Sequence, residues 1–297
     1  MGTVVSMQVV GHGASQRARR ERTLGVDRAF HWFRRVESVC SRFDATSEVR
    51  QLCNTVATPV RVSPLLFQAV QFALAVAHDT SGAFDPTIGA RMEARGFDRD
   101  YRTGERAPTG VVAARTTSYR DVSVDSEAQT ITLHRPLVLD LGAVAKGLAV
   151  DIAARELSPF VNFAIDAGGD LYLGGRNADD APWSVGIRHP RDATRCIDTL
   201  QVTDCAVCTS GDYERVGVAS GEHHLMDPRS DATADLSASA TVIAPSAMVA
   251  DALATAAFVL GPIDGIALLE RHAVRGFLVT PSLERFDSRV IAEALPA

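Results

Sequence analysis

The sequence is short of cysteine, of positive charge and of long apolar runs, and each shortage narrows what the chain can be. Five cysteines, at 40, 53, 196, 205 and 208, are an odd number in a chain of 297 residues with no export signal, so reduced thiols are expected. Cys205 and Cys208 make a C-x-x-C, but no second pair or adjacent histidine completes four ligands. Small residues filling a strand explain that spacing better than zinc does. The opening MGTVVSMQVVGHG has no basic n-region, no long apolar h-region and no cleavage-site pattern, which excludes a signal peptide. No window approaches the roughly eighteen apolar residues needed to cross a bilayer, so no membrane span is expected. A net charge of −6 and a pI near 5.8 leave no basic field for nucleic acid. The densest basic run, RARRER at 17 to 22, reads as a solvated helix face. A cytoplasmic protein follows.

What is present is an ordinary globular composition, 46% hydrophobic and 22% charged, over a length that suits one large domain or two intimate ones. Residues 3 to 10 alternate as a strand, and 17 to 43 carry Leu24, Phe30, Phe33, Val36 and Val39 at helical spacing. Residues 44 to 54 are polar and read as a loop. Ser63 and Pro64 stand in the order of cap and first-turn proline, starting a helix that runs to about His78. SGAFDPTIG, 81 to 89, is an irregular loop of the kind that carries function. Charged residues from 98 to 110 form a surface loop, and strands follow at 121 to 125 and 129 to 135. Further strands are expected at 161 to 165, 183 to 188, 197 to 202 and 205 to 209. A helix capped by Ser246 runs to 260, and a helix and strand occupy 264 to 280. Helices followed by groups of strands, without strict βαβ alternation, give an α+β protein of two related lobes.

Two stretches carry chemistry. LVLDLGAVAKGLAVD, 137 to 151, reads as a buried strand, a turn at Gly142 and a helix. Backbone N–H groups at such a helix start favour an anion, and Asp140 at the strand end suits a donor or a metal. Lys146, read in the first turn, puts positive charge where a helix start prefers negative, which suggests a phosphate; a packed corner with Lys146 in solvent is the plainer alternative. The second stretch is the helix from Ser246. There Asp251 and Thr255 stand four residues apart on one face of an otherwise apolar helix and offer oxygen to a hard cation such as magnesium. Alternatively, Asp251 favours the helix start and Thr255 bonds back to a helix carbonyl. The pair Gly168 and Gly169 admits a close backbone approach, by a ligand or by a crossing strand.

DLGAVAKGLAVD (140 to 151), DAGGDLYLGG (166 to 175), TSGDYER (209 to 215), HHLMDP (223 to 228) and DALATAAFVLG (251 to 261) resemble, in that order, the successive motifs of the ApbE family of FAD:protein FMN transferases. MGT at the start and SGAFDPTIG match as well, so the resemblance covers nearly the whole chain, 1 to 297, as a single domain. It implies a T-fold-like α+β architecture of two related lobes with the flavin site between them. The implied activity is a magnesium-dependent transfer of the FMN half of FAD, through a phosphoester, to a threonine of an acceptor flavoprotein, with release of AMP. A magnesium-dependent FAD pyrophosphatase and a non-catalytic FAD-binding protein are the alternatives. The same resemblance places the metal on the Ala143 carbonyl, Asp251 and Thr255. FAD would lie along Met1, Phe43, Ala83, Phe84, Asp85, Asp140, Lys146, His224 and Leu225. His224 is the expected general base, since histidine titrates near neutrality and alternation sets it opposite His223 on the HHLMDP strand; a packed histidine that orients the flavin is the alternative. One departure stands out: Ser230 and Asp231 follow Arg229 where the family has a Thr-Gly pair. A family match at Met1 implies that no tether or lipid anchor precedes the domain, in keeping with a cytoplasmic enzyme.

Overall fold

The structure is a computed structural model, and it describes residues 2–11, 15–100, 103–214 and 223–289. After strand β1 (Val5–Val9) comes helix α1 (Gln16–Cys40), which buries Ala29, Phe33, Val36, Val39 and Cys40. Leu24, expected on that face, is exposed, and the arginines at 17, 19 and 20 face solvent. The polar stretch expected as a loop contains a helix, α2 (Glu48–Cys53). Ser47 Oγ accepts from Arg50 N–H, and Val49, Leu52 and Cys53 are buried. Six residues are too few for a helical period to show against polar neighbours. Strand β2 (Val60–Arg61) leads to α3 (Pro64–Asp79), where Ser63 Oγ accepts from Leu66 N–H and Pro64 opens the first turn. Next come α4 (Gly89–Ala94), β3 (Val122–Asp125), β4 (Thr130–Leu133) and α5 (Gly142–Leu157). Strands β5 (Phe163–Ala167), β6 (Leu171–Gly174), β7 (Trp183–His189), β8 (Asp192–Val202) and β9 (Cys205–Gly211) follow. The chain closes with β10 (Met226–Asp227), β11 (Ala232–Thr233), β12 (Ser239–Ala244), α6 (Ala247–Arg271), β13 (Arg275–Val279) and β14 (Arg285–Asp287).

These elements form two compact units. The first comprises residues 1–2, 34–145 and 215–234, and holds the antiparallel sheet β2-β4-β3 and the hairpin β10-β11. Leu137 to Leu141, expected as a strand, has its four apolar residues buried but joins no sheet, making only an isolated parallel bridge between Val138 and Ile88. Its backbone is satisfied by loops: Val138 C=O accepts from Gly89 N–H (3.1 Å), Asp140 N–H donates to Pro86 C=O (2.7 Å), and Leu139 N–H reaches Cys53 Sγ (3.4 Å). Gly89 ends SGAFDPTIG because a methyl there would lie 2.5 Å from the Val138 side chain.

The second unit comprises residues 3–33, 146–214 and 235–297. Its seven-stranded antiparallel sheet has the order β1-β5-β6-β9-β12-β13-β14, so the strands stand side by side in chain order. Side chains alternate between its faces. One face packs under the β7–β8 hairpin, where Trp183, Val185 and Ile187 meet Val207, Phe277 and Val279. The other lies against α6, with Cys208 Sγ 3.7 Å from the Ala247 carbonyl.

Helix α6 corrects the expectation of no candidate span, for by length and composition it could cross a membrane, with a mean hydropathy of 1.9 over its most apolar window. Its apolar character has another physical origin, since most of that window is buried. The helix is broken at Gly261 (φ 79°, ψ 177°), and Pro262 restarts it. That agrees with two consecutive helices, one ending at 260.

Candidate functional site

In the second unit, α5 and α6 approach so closely that a methyl on Gly147 would sit 2.5 Å from Met248 Cα and nearer still to the Ala247 carbonyl. One turn further along α5, Asp151 reaches across and binds the start of α6. Its carboxylate accepts from Ser246 Oγ (2.6 Å), Ala247 N–H (2.7 Å) and Met248 N–H (3.0 Å). An anion at three donors of a helix start is favoured by both hydrogen bonding and the helix dipole. This glycine and this aspartate together fix the register of the two helices. Lys146, beside Gly147, thereby faces Asp251.

Lys146 Nζ lies 3.0 Å from Asp251 Oδ2 and 3.1 Å from Asp170 Oδ2, with both carboxylates buried. Lys146 belongs to the second turn of α5, not the first, so its charge is answered by two carboxylates rather than left at a helix start. Burial, and then the neighbouring Asp170 charge, push the Asp251 carboxyl up against the pull of Lys146. Cys208, beneath the pair, has its thiol raised well above the usual range by burial and by both aspartates. Thr255, one turn on from Asp251, meets Ser210 Oγ at 3.2 Å on β9. Asp251 thus stands in a buried ion pair, and Thr255 reaches across to a strand. Asp170 enters through the turn between β5 and β6, where Gly168 and Gly169 have positive φ and a side chain on Gly168 would overlap Thr3. The Thr3 side chain, packed against a residue of positive φ, therefore explains Gly168.

Two buried carboxylates and one ammonium leave an excess negative charge in a place where isolated charge is costly. Hard oxygen donors with surplus anionic charge are what a divalent cation such as magnesium requires, and the Thr255 hydroxyl adds a second oxygen on the same face of α6 as Asp251. The donor set fits the metal. Ala143, half-buried in the first turn of α5, belongs to the first unit. Among the described residues no group of three or more His, Cys, Asp or Glu side chains forms a metal cage.

In the first unit, Asp140 caps Gly142 N–H (2.8 Å) and pairs with Arg42 (2.6 Å), a buried arginine whose guanidinium lies 4.1 Å over the Phe43 ring and donates to Phe97 C=O (2.5 Å). Asp140 and Phe43, named separately from the sequence, are thus joined by Arg42. Ala83, Phe84 and Asp85 are buried. Asp85 accepts from Thr87 N–H (2.8 Å), the Thr87 hydroxyl (2.7 Å) and Tyr119 N–H (2.9 Å), so it shapes its own loop, and burial raises its pKa in spite of those donors. His223 and His224 precede β10 instead of lying in it, so strict alternation does not apply to them. His223 is buried and its Nδ1 accepts from Leu225 N–H (3.2 Å); His224 is half-buried, and Leu225 is buried. Met1 lies outside the described residues.

The departure at 230–231 keeps its turn. Asp231 has φ 56°, the left-handed conformation that glycine adopts freely and aspartate tolerates. Arg95 donates to its carbonyl, Arg91 donates to Pro228 C=O (2.7 Å), and both guanidinium groups lie 3.8 Å from the Asp231 carboxylate.

Sequence reasoning did not single out Arg42, Asp151 or Asp170. Asp151 and Asp170 both stand inside quoted motifs, and Asp170 directly follows a glycine pair, which is the signal that could have marked it. Arg42 has no signal beyond its place before Phe43.

The sequence model of the ApbE family matches residues 1–278. Among curated proteins, the chain is similar to the FAD:protein FMN transferases of Treponema pallidum (33% identity, over 80% of this chain and 70% of that one) and Vibrio cholerae (29%, over 85% and 75%). Among solved structures, it is similar to the ApbE protein of Thermotoga maritima (29% identity, TM-score 0.80, over 97% of this chain and 93% of that one). It is also similar to the flavin transferase ApbE of Vibrio cholerae (26%, TM-score 0.81, over 98% and 95%).

Proposed function

The chain belongs to the ApbE family, and from that premise we propose that it is a FAD:protein FMN transferase, moving the FMN half of FAD to a threonine hydroxyl of an acceptor flavoprotein. The hydroxyl oxygen bonds to the flavin-side phosphorus, the bridging phosphorus–oxygen bond breaks, and AMP leaves. The observation that carries this reading is the Lys146–Asp251–Asp170 cluster with the Thr255 hydroxyl beside it, an arrangement that flavin binding by stacking and hydrogen bonds would not need. Asp251 and Thr255, with the Ala143 carbonyl, would hold magnesium, which when bound supplies positive charge for phosphate oxygens.

In this reading the chain's own groups bind and orient. Phe43, the Ala83–Asp85 loop, Asp140 and Leu225 would hold FAD, with Arg42 fixing the orientation of Asp140 and Phe43. Lys146 offers an ammonium to a phosphate, and His224 accepts the proton of the attacking hydroxyl. Phosphoryl transfer of this kind depends chiefly on positioning and charge neutralisation.

The test is to incubate the protein with FAD, magnesium and a candidate acceptor and to search by mass spectrometry for attached FMN. Attachment that is lost in Asp251→Ala supports the transferase. Free FMN and AMP with no attachment would make the protein a pyrophosphatase, and no FAD turnover at all would leave a carrier.

A further inference from the structure

Lys146 is the only lysine in the chain; every other one of its 30 Lys and Arg residues is arginine. That exception falls between two buried carboxylates, 3.0 Å from one and 3.1 Å from the other, and within contact of the oxygen proposed to hold the metal. A planar guanidinium fork is made for one carboxylate at a time, whereas an ammonium is a compact point charge on a flexible stem that can touch two and then move. A divalent cation bound to Asp251 at the usual distance of about 2.1 Å would share that buried oxygen with the ammonium, and the two positive charges repel. Asp170 has no part in the proposed ligand set, yet it is as buried as Asp251 and holds the other side of the same ammonium.

We propose that Lys146 occupies the cation's place on Asp251 in the metal-free protein, and that a divalent cation enters by exchange, driving the ammonium off Asp251 while Asp170 retains it. Lys146 and Asp170 thus set the metal affinity of the site. This rests on the assignment of the metal to Asp251. Asp170 is a positioning residue that acts through Lys146.

Because the chain has one lysine, amine-selective chemistry reads this exchange directly, with the N-terminal amine as internal reference. Metal-free protein is given a short pulse of an acetylating reagent with and without magnesium chloride, and the Lys146 peptide is quantified by mass spectrometry. Acetylation of Lys146 is expected to rise several-fold with magnesium. Calorimetry with magnesium alone should show binding about tenfold tighter in Lys146→Met. In Asp170→Asn it should be several-fold weaker, and that loss should shrink when Lys146→Met is also present. Should Lys146→Met fail to fold, the labelling of the wild-type protein still decides. If magnesium binds but Lys146 labelling is unchanged or falls, the exchange is overturned and the metal assignment stands. If wild-type protein binds no magnesium, both fall.

Discussion

Gly147→Ala sets two effects of opposite sign against each other. Within an exposed helix, replacing glycine by alanine gains about 1 kcal/mol of helix propensity. Here the added methyl would sit 2.5 Å from Met248 Cα, where ordinary contact begins at 3.4 Å, and both Met248 and the Ala247 carbonyl are backbone that cannot rotate away. The helices must part by about 1 Å, and overpacking of this kind costs about 1–3 kcal/mol or somewhat more. The Lys146 side chain is flexible enough to follow that movement and keep its 3.0 Å contact with Asp251, so the cost is one of helix packing. The net expectation is destabilisation by about 2 kcal/mol, seen in urea unfolding as a midpoint lowered by about 1 M. Gly142→Ala, whose methyl would meet only Asp140 Oδ1 at 3.0 Å, is the control and should change the midpoint much less. A Gly147→Ala midpoint equal to or above that of the wild type would refute the argument that close helix approach fixes this site.

Asp151→Ala removes the carboxylate that holds three donors at the start of α6, and charge-assisted bonds of that kind predict a loss of about 3 kcal/mol in chemical denaturation. A loss under about 1 kcal/mol would mean that Ser246 caps the helix unaided. With a thiol reagent at pH 8, native protein should react at exposed Cys196 and not at Cys40, Cys53, Cys205 or Cys208. Burial raises Cys40 to about 12 and Cys53 and Cys205 to about 11, and takes Cys208 well above its usual range; rapid reaction of more than one thiol would contradict that. His224→Ala should slow transfer more than about tenfold with FAD affinity changed much less, while His223→Ala does neither. Equal losses in both variants would reject His224 as the base.

What could be read from the sequence was whatever is encoded locally. Ser63 followed by Pro64 marks a helix start in any context, and Ser246 caps the apolar stretch after it, so α3 and the start of α6 stood out. Asp251 and Thr255 share a helix face by spacing alone. Leu137 to Leu141 has the composition of a strand, but whether an extended segment finds a ladder depends on partners elsewhere, and here loops supplied them. Asp170 becomes part of the charge cluster through the pairing of β6 with β9 and the packing of α6 on that sheet, neither of which leaves a trace at position 170 itself. The partner of Lys146 was hidden for the same reason: its nearest carboxylates are 24 and 105 residues away in sequence.

The strand order of the second unit has a consequence for how the protein comes to be folded. β1 forms one edge of the seven-stranded sheet and β14 the other, so the sheet cannot be finished until almost the last residues have been made. Through that interval α6, apolar on nearly every side, has only part of its eventual cover, because β13 and β14 follow it in the chain. A nascent chain in that state presents a long greasy helix beside an open strand edge, the combination most prone to self-association. Mutations that slow the docking of the last two strands should therefore show first as lost yield and inclusion bodies, in chains whose finished fold would have been almost as stable as the original.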